Sequence, residues 1–274
     1  MELPSVSDVY ARIDHKITTQ NLSLPTLPEI AQDVRRVSKD EDSSIDDLVA
    51  VLSEDASVCA RVIQVVNSPL LRVGQKIGEI KVAVTRLGMD YTANLVSGVV
   101  VDQLFTARHQ EVYSHLRALW RQSQKTAGVC HWLAPQCGLN PDQASLAGLT
   151  YLIGYLPVLR EIDETLSSDQ TGQPVIDLIN SFGGVVQGRI GERILSDWDF
   201  PDQLSPVPRQ AQIPDHKALS PIYADLVLAA EVLTGVLEID LNRPEEFTFL
   251  ERVGLDLDDP EVKQSADEAA QTFF

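Results

Sequence analysis

The segment Gly148-Leu149-Thr150-Tyr151-Leu152-Ile153-Gly154 determines how the rest of the chain is interpreted. It belongs to a helix predicted from Asn140-Pro141 through Tyr155, because asparagine caps helix N-termini and proline fits the first helical position. Its centre places a phenol, Tyr151, beside an isobutyl group, Leu152. A phenol is a poor ligand for divalent metals and an isobutyl group is none. The segment therefore predicts a helix whose middle offers no metal-binding pair.

Outside this segment, apolar residues recur at spacings of three and four, which is typical of helices that bury one face. Capping or terminating residues mark several ends: Ser44 with Asp47, Asn67-Ser68 before proline, Gly88, and Asp90. Helices are predicted over 27–37, 45–52, 58–66, 80–87, 90–105, 110–133, 185–198 and 221–237, with a short one from Pro260. Because alternating segments are nearly absent, the sequence predicts an all-α, multi-helix bundle.

Charge limits the partners that the chain can have. With 40 acidic and 22 basic residues, the formal net charge is −18. A surface this acidic repels phosphate backbones, so direct nucleic-acid binding is not expected. No stretch approaches the ~20 apolar residues of a membrane span, and the N-terminus lacks a signal peptide pattern. Three cysteines cannot all pair with each other, so the expectation is a cytoplasmic protein with free thiols.

Several motifs, in this order and at these separations, resemble the HDOD family, the HD-related output domains of bacterial signalling proteins. The opening Leu-Pro-x-Leu-Pro of that family is similar to 24–28 here, its Asn-Ser signature to 67–68, and its Ile-x-x-Ala-x-x-x-Leu-Gly segment to 80–88. The matched signature positions are Pro25, Pro28, Asn67, Ser68, Leu87 and Gly88. Asn67 is expected to terminate a helix rather than to bond across the domain. The resemblance covers roughly Ser23 to Glu238.

The resemblance also implies a division of the chain. Residues 1–105 are expected to form an N-terminal helical subdomain, and residues 106–241 an HD-like helical subdomain. Residues 242–274 are expected to be an acidic C-terminal tail. In catalytic HD phosphohydrolases, to which HDOD proteins are related, the second unit carries the metal centre.

Compared with catalytic HD proteins, this chain lacks nearly all of the metal ligands. The first His position is similar to Gln122, the His-Asp pair to Tyr151 and Leu152, and a later His to Gln187. A further His falls near Arg209 or Gln210. The closing Asp falls near Glu231, which alone could still bind a cation. Tyr151 is expected to fill the vacated position and to find a local hydrogen bond.

Other chemistry in the sequence is weak. Cys130, His131 and Cys137 lack the spacing and the fourth ligand of a structural zinc site. No cofactor is therefore expected. The resemblance instead implies a non-catalytic regulatory or adaptor protein in bacterial signal transduction, acting through contacts with signalling proteins.

Two alternatives stay open at the level of the sequence. The former metal pocket could bind a nucleotide or metabolite, which requires a wide polar cavity lined by Gln122, Tyr151 and Gln187. A hydrolase with relocated ligands could instead use carboxylates such as Asp163, Glu164 or Glu231. The sequence does not name the partner, the pathway or the oligomeric state.

Overall fold

The structure is a computed structural model that describes residues 5–19, 22–68, 74–182, 184–213, 218–239 and 247–272. All regular elements within these ranges are helices, so the predicted all-α class is confirmed. The α-helices are α1 (Val6–Thr18), α2 (Glu29–Lys39), α3 (Ile45–Leu52), α4 (Ala56–Val66), α5 (Ile80–Leu87), α6 (Met89–Val101), α7 (Gln110–Leu133), α8 (Pro141–Thr150), α9 (Tyr155–Thr165), α10 (Gln173–Asn180), α11 (Val185–Asp197), α12 (Val207–Gln210), α13 (Tyr223–Leu233), α14 (Thr248–Val253) and α15 (Pro260–Thr272). Short 3-10 helices cover Asp102–Leu104 and Ala134–Cys137.

Helix α7 is the axis around which the second half of the chain packs. It contacts α8, α9, α10, α13 and α15. In the first half, α2 packs against α3 and α6, and α6 also packs against α8. The buried apolar residues of both halves form one continuous core. Contacts therefore cross both predicted boundaries, since α1 packs on α9 and α15 packs on α7. The division at 105 and 241 stays a prediction.

The predicted bounds of α3 and α5 and the predicted end of α4 are confirmed, whereas α6 ends at Val101 and not at Phe105. Ser44 Oγ accepts from the Asp47 amide at 3.3 Å, and Asp47 Oδ2 accepts from the Ser44 amide at 2.8 Å, which completes the predicted capping box. Gly88 ends α5 at a φ of 81°, a conformation that favours glycine. The prediction that Asp90 caps the next helix is wrong. Gly88 also begins α6, so Asp90 falls inside the first turn and accepts from Ser38 Oγ at 3.0 Å.

Asn67 ends α4, as its sequence context predicts. Its Nδ2 donates to the carbonyls of Ile63 at 2.8 Å and Ile77 at 2.7 Å, and its Oδ1 accepts from the Ile77 amide at 2.8 Å. The side chain thus fixes Ile77 to the end of α4. All three bonds are made within the first half of the chain.

The prediction of one helix from Pro141 through Tyr155 is wrong. Asn140 is the N-cap, because its Oδ1 accepts from the amides of Asp142 and Gln143. Helix α8, however, ends at Thr150, a turn covers residues 151–154, and α9 begins at Tyr155. The turn brings Gly154 against α11, where an ideal Cβ would lie 1.8 Å from the carbonyl oxygen of Gln187. This contact is set by the tertiary structure, which helix periodicity does not encode.

The remaining differences are helices that the apolar spacing does not predict. No helix was predicted over α1, α10, α12 or α14 or over α9 beyond Tyr155, and α13 is shorter than the predicted 221–237. The predicted helix from Pro260 is confirmed as α15. The buried carboxylate of Asp225 in α13 accepts a hydrogen bond from Arg252 of α14, with Nη2 to Oδ1 at 2.6 Å. This bond attaches α14 to the bundle. In the described ranges, no helix is long and apolar enough to cross a bilayer.

Candidate functional site

Three of the six positions predicted to correspond to metal ligands meet in the second half of the chain. Gln122 extends from α7, Tyr151 follows α8, and Glu231 extends from α13. Gln122 Nε2 donates to Tyr151 Oη at 2.7 Å and to Glu231 Oε1 at 3.1 Å, and Tyr151 Oη donates to Glu231 Oε1 at 3.0 Å. We call these residues the polar trio. They join three elements that are distant in sequence.

Glycine allows the elements of the trio to approach. An ideal Cβ on Gly148 would lie 2.6 Å from the Ala127 Cα, so α8 contacts the backbone of α7 there. Tyr151, one turn later, comes within 3.5 Å of the hydroxyl of Thr126, which is fully buried. Gly154 allows the same segment to contact α11. The two glycines that flank the segment therefore set its position against two neighbouring helices.

The environment of the trio favours its neutral forms. Burial raises the pKa of Glu231 above its ordinary value, and the hydrogen bonds from Tyr151 and Gln122 oppose this shift only in part. Burial, together with the nearby Glu231 charge, also raises the pKa of Tyr151 and that of the buried Cys130 thiol. The phenol is thus a proton donor at neutral pH, and one carboxylate oxygen receives two donors.

The other predicted positions do not join the trio. Leu152 is buried in the apolar core. Gln187 is 2% exposed, and neither its carboxamide nitrogen nor its oxygen has a hydrogen-bond partner among the described residues. Arg209 pairs instead with Glu192, with Nε to Oε2 at 2.6 Å. The polar trio is thus smaller than the ligand set that the resemblance implies.

This arrangement does not fit the metal centre of the HD phosphohydrolases. Such a centre needs several imidazole and carboxylate ligands around one or two cations. Here Gln122 directs its amide donor, not its carbonyl, towards Glu231, and the phenol directs its hydroxyl proton to the same oxygen. In the part of the chain that the structure describes, no group of three or more His, Cys, Asp or Glu side chains could hold a metal ion.

The carboxylates considered as relocated ligands have separate surroundings. Burial alone would raise the pKa of Asp163, but hydrogen bonds from His109 and Arg108 outweigh it and lower the pKa. The backbone amide and Nδ1 of His109 each lie 2.9 Å from Asp163 Oδ1, so Asp163 of α9 fixes the segment just before α7. Glu164 pairs with Arg160 on the surface of α9, at 3.0 Å. Nothing in the sequence indicates the contact between Asp163 and His109.

The residues considered for zinc do not converge on one point. His131 Nδ1 lies 3.0 Å from Ser145 Oγ, and Cys137 Sγ donates to the Val253 carbonyl at 3.7 Å. Cys130 is fully buried on α7.

Four of the best-formed cavities among the described residues are lined by neither Gln122, Tyr151 nor Gln187. One of them, with a volume of ≈ 840 Å³, lies beside the signature residue Pro25 and Asp163. The Pro25 carbonyl accepts from Trp198 Nε1 at 3.0 Å, which joins the signature segment to the end of α11. Open volume is thus found around the signature segment and α1, and none of these four cavities reaches the polar trio.

The model of the HDOD domain family matches residues 24–214, which is more than half of the chain. The chain therefore belongs to the HDOD family. An uncharacterized protein of Treponema pallidum (strain Nichols) is 25% identical over 191 residues, which are 65% of this chain. The chain spans only 36% of the length of that relative.

Solved structures share the fold over nearly the whole chain. A protein of Shewanella amazonensis SB2B, named "Putative metal-dependent phosphohydrolase", is 28% identical with a TM-score of 0.83, and the alignment covers 98% of this chain and 99% of the other. A protein of Marinobacter aquaeolei VT8, named "Putative signal transduction protein", is 20% identical with a TM-score of 0.60. That alignment covers 98% of this chain and 64% of the other. The second likeness supports the fold alone.

Proposed function

We propose that this chain is a non-catalytic regulatory or adaptor module in bacterial signal transduction that acts through protein contacts. The observation that carries the non-catalytic part is the polar trio. Gln122, Tyr151 and Glu231 hold three of the predicted ligand positions, and they bond to one another. A lone carboxylate whose pKa is raised by burial does not replace several converging ligands.

The signalling part of the proposal comes from membership of the HDOD family. The trio supports a scaffold role, since it joins α7, α8 and α13 by hydrogen bonds alone. A net charge of −18 favours partners with basic surfaces. A metabolite sensor at the former metal pocket finds no support, because no described cavity is lined by the predicted residues.

Cross-linking in the native cell, followed by mass spectrometry and reconstitution with the purified partner, tests the proposal. We expect a direct complex that forms without added metal, nucleotide or substrate and that weakens as salt is raised. The Glu231→Gln variant should bind the partner as the wild type does, because the trio lies inside the bundle. A reconstituted complex that requires a divalent metal, or that Glu231→Gln abolishes while the fold is retained, would contradict the adaptor role.

A further inference from the structure

A second region of the molecule, between α1 and α11, contains a cavity that the polar trio does not line. Helix α1 packs mainly on α9, where Lys16 pairs with the buried Glu161. Between α1 and α11 a cavity of ≈ 490 Å³ remains, which we call the α1–α11 cavity. Helix α1 lies outside residues 24–214, which match the family model, whereas α11 lies within them. One side of the cavity therefore belongs to the family domain and the other does not.

The interior of the α1–α11 cavity is apolar. Ile13 and Ile190, which are 1% and 3% exposed, form its floor. Its walls are the partly buried side chains Ile17, Leu22, Leu24 and Val186. The volume equals that of about 15 water molecules, at about 30 Å³ each. A linear chain of roughly ten carbons therefore fits it, and burying its methylene groups is favourable.

The rim of the α1–α11 cavity carries more cationic than anionic side chains, although the chain as a whole is strongly acidic. Three cationic side chains and one carboxylate line it. Lys16 is neutralised by Glu161, and Arg193 lies 3.8 Å from Asp197. Arg189 is exposed and has no carboxylate partner among the described residues. The carboxylate, Asp14, lies on the α1 side of the rim, opposite the arginines of α11.

We propose that the α1–α11 cavity binds a small amphipathic anion, an unbranched acyl chain that ends in a carboxylate. The acyl chain occupies the apolar interior, and the carboxylate pairs with Arg189 at the rim, away from Asp14. This site is separate from the polar trio, and it gives the module a ligand input that does not depend on the former metal pocket. The proposal therefore fails or stands independently of the adaptor role.

Titration calorimetry with decanoate, kept well below its micellar concentration, tests the proposal on the full chain. We expect saturable one-to-one binding, weaker binding of decanol, and no binding of acetate. Ala11→Trp places an indole in the cavity from an exposed position and should abolish binding. Ile17→Gln, which makes one wall polar, should also weaken it and serves if Ala11→Trp does not fold.

The charge of the rim gives two predictions of opposite sign. Arg189→Gln should weaken decanoate binding about three- to fivefold and leave decanol unchanged, as expected for a partly exposed ion pair. Asp14→Asn should strengthen decanoate binding by a similar factor, because a like charge is removed. Arg121→Gln, an exposed arginine of α7 away from the cavity, is the matched control and should change nothing.

Absence of saturable decanoate binding would overturn the proposal. So would binding that survives Ala11→Trp with the fold intact, or decanol binding as tight as decanoate binding. The acyl chain could also belong to a membrane lipid, so the chain should be sedimented with phosphatidylglycerol vesicles. We expect no cosedimentation, because the net charge of −18 opposes an anionic surface. Cosedimentation that Ala11→Trp abolishes would show that the cavity binds a membrane lipid and would overturn the proposal of a free ligand.

Discussion

The polar trio and the α1–α11 cavity lie in the same bundle, yet their polar side chains differ in whether they have hydrogen-bond or ion-pair partners. In the trio, a carboxamide, a phenol and a carboxylate bond to each other, and Tyr151 is only 2% exposed. At the cavity, apolar side chains surround open volume and Arg189 has no carboxylate partner in the described ranges. Open volume is thus found between α1 and α11, whereas the three side chains of the trio bond to one another.

Adding a methyl group at Gly154, in the turn that contains Tyr151 of the trio, should have the largest effect on stability. In Gly154→Ala the Cβ would lie 1.8 Å from the Gln187 carbonyl oxygen and 2.8 Å from the Gly191 nitrogen. The turn must then move away from α11, and we expect a loss of about 3 kcal/mol or more in the free energy of unfolding. Denaturant unfolding measures it. Gly78→Ala, where a Cβ meets nothing within 4 Å, is the control and should cost less than about 1 kcal/mol.

Removing one hydroxyl from the trio should have the next largest effect. Tyr151→Phe leaves the mostly buried Glu231 with one donor fewer and Gln122 with one acceptor fewer. We expect a loss of about 1–3 kcal/mol, the usual cost of unpaired buried polar groups. Tyr113→Phe changes a tyrosine that is 39% exposed and should be nearly neutral. Equal losses in the two variants would show that the trio contributes nothing.

The charge of Glu231 predicts a pH dependence. Its pKa is raised by burial, so the folded state binds this proton more tightly than the unfolded state does. Its contribution to stability is present below the ordinary pKa of 4.5 and is lost as pH rises through the raised value. Glu231→Gln cannot ionise, so its stability relative to the wild type should increase as pH rises through the raised pKa of Glu231. A difference that is constant with pH would mean that Glu231 titrates as in the unfolded chain.

Adding volume at the α1–α11 cavity should have the smallest effect on stability. Ala11→Trp adds far more atoms than Gly154→Ala, but the indole enters open space from an exposed position. We expect a change within about 0.5 kcal/mol in thermal or denaturant unfolding. A loss as large as that of Gly154→Ala would show that the cavity is not available to a ligand.

The sequence predicted the helical class and several caps. The HDOD resemblance places Gln122, Tyr151 and Glu231 among the positions where ligands converge, but nothing in the sequence separates them from the aligned positions that do not join the trio. The break after Thr150 could not be predicted, because it depends on the contact between Gly154 and Gln187 across 33 positions of the chain. The role of Gly148 against Ala127 is likewise tertiary.

Other features were missed because their sequence patterns are short or because they depend on contacts between helices. Helix α1 buries only Val9 and Ile13, so its apolar stripe is short within a polar segment. Asp163 was considered as a catalytic carboxylate, although it binds the His109 amide just before α7 from a different helix. Such a contact depends on which helices pack together, and no spacing in the sequence records it.

Metal content and hydrolysis, measured on one preparation, test the central claim most directly. The protein, purified without chelator, is assayed for iron, manganese and zinc by elemental analysis, then incubated with phosphomonoesters, nucleotides and cyclic dinucleotides with each metal added. We predict no stoichiometric metal and no hydrolysis, because the trio offers one carboxylate that already accepts two hydrogen bonds. One or two bound metals per chain, with hydrolysis that Glu231→Gln abolishes, would contradict the account.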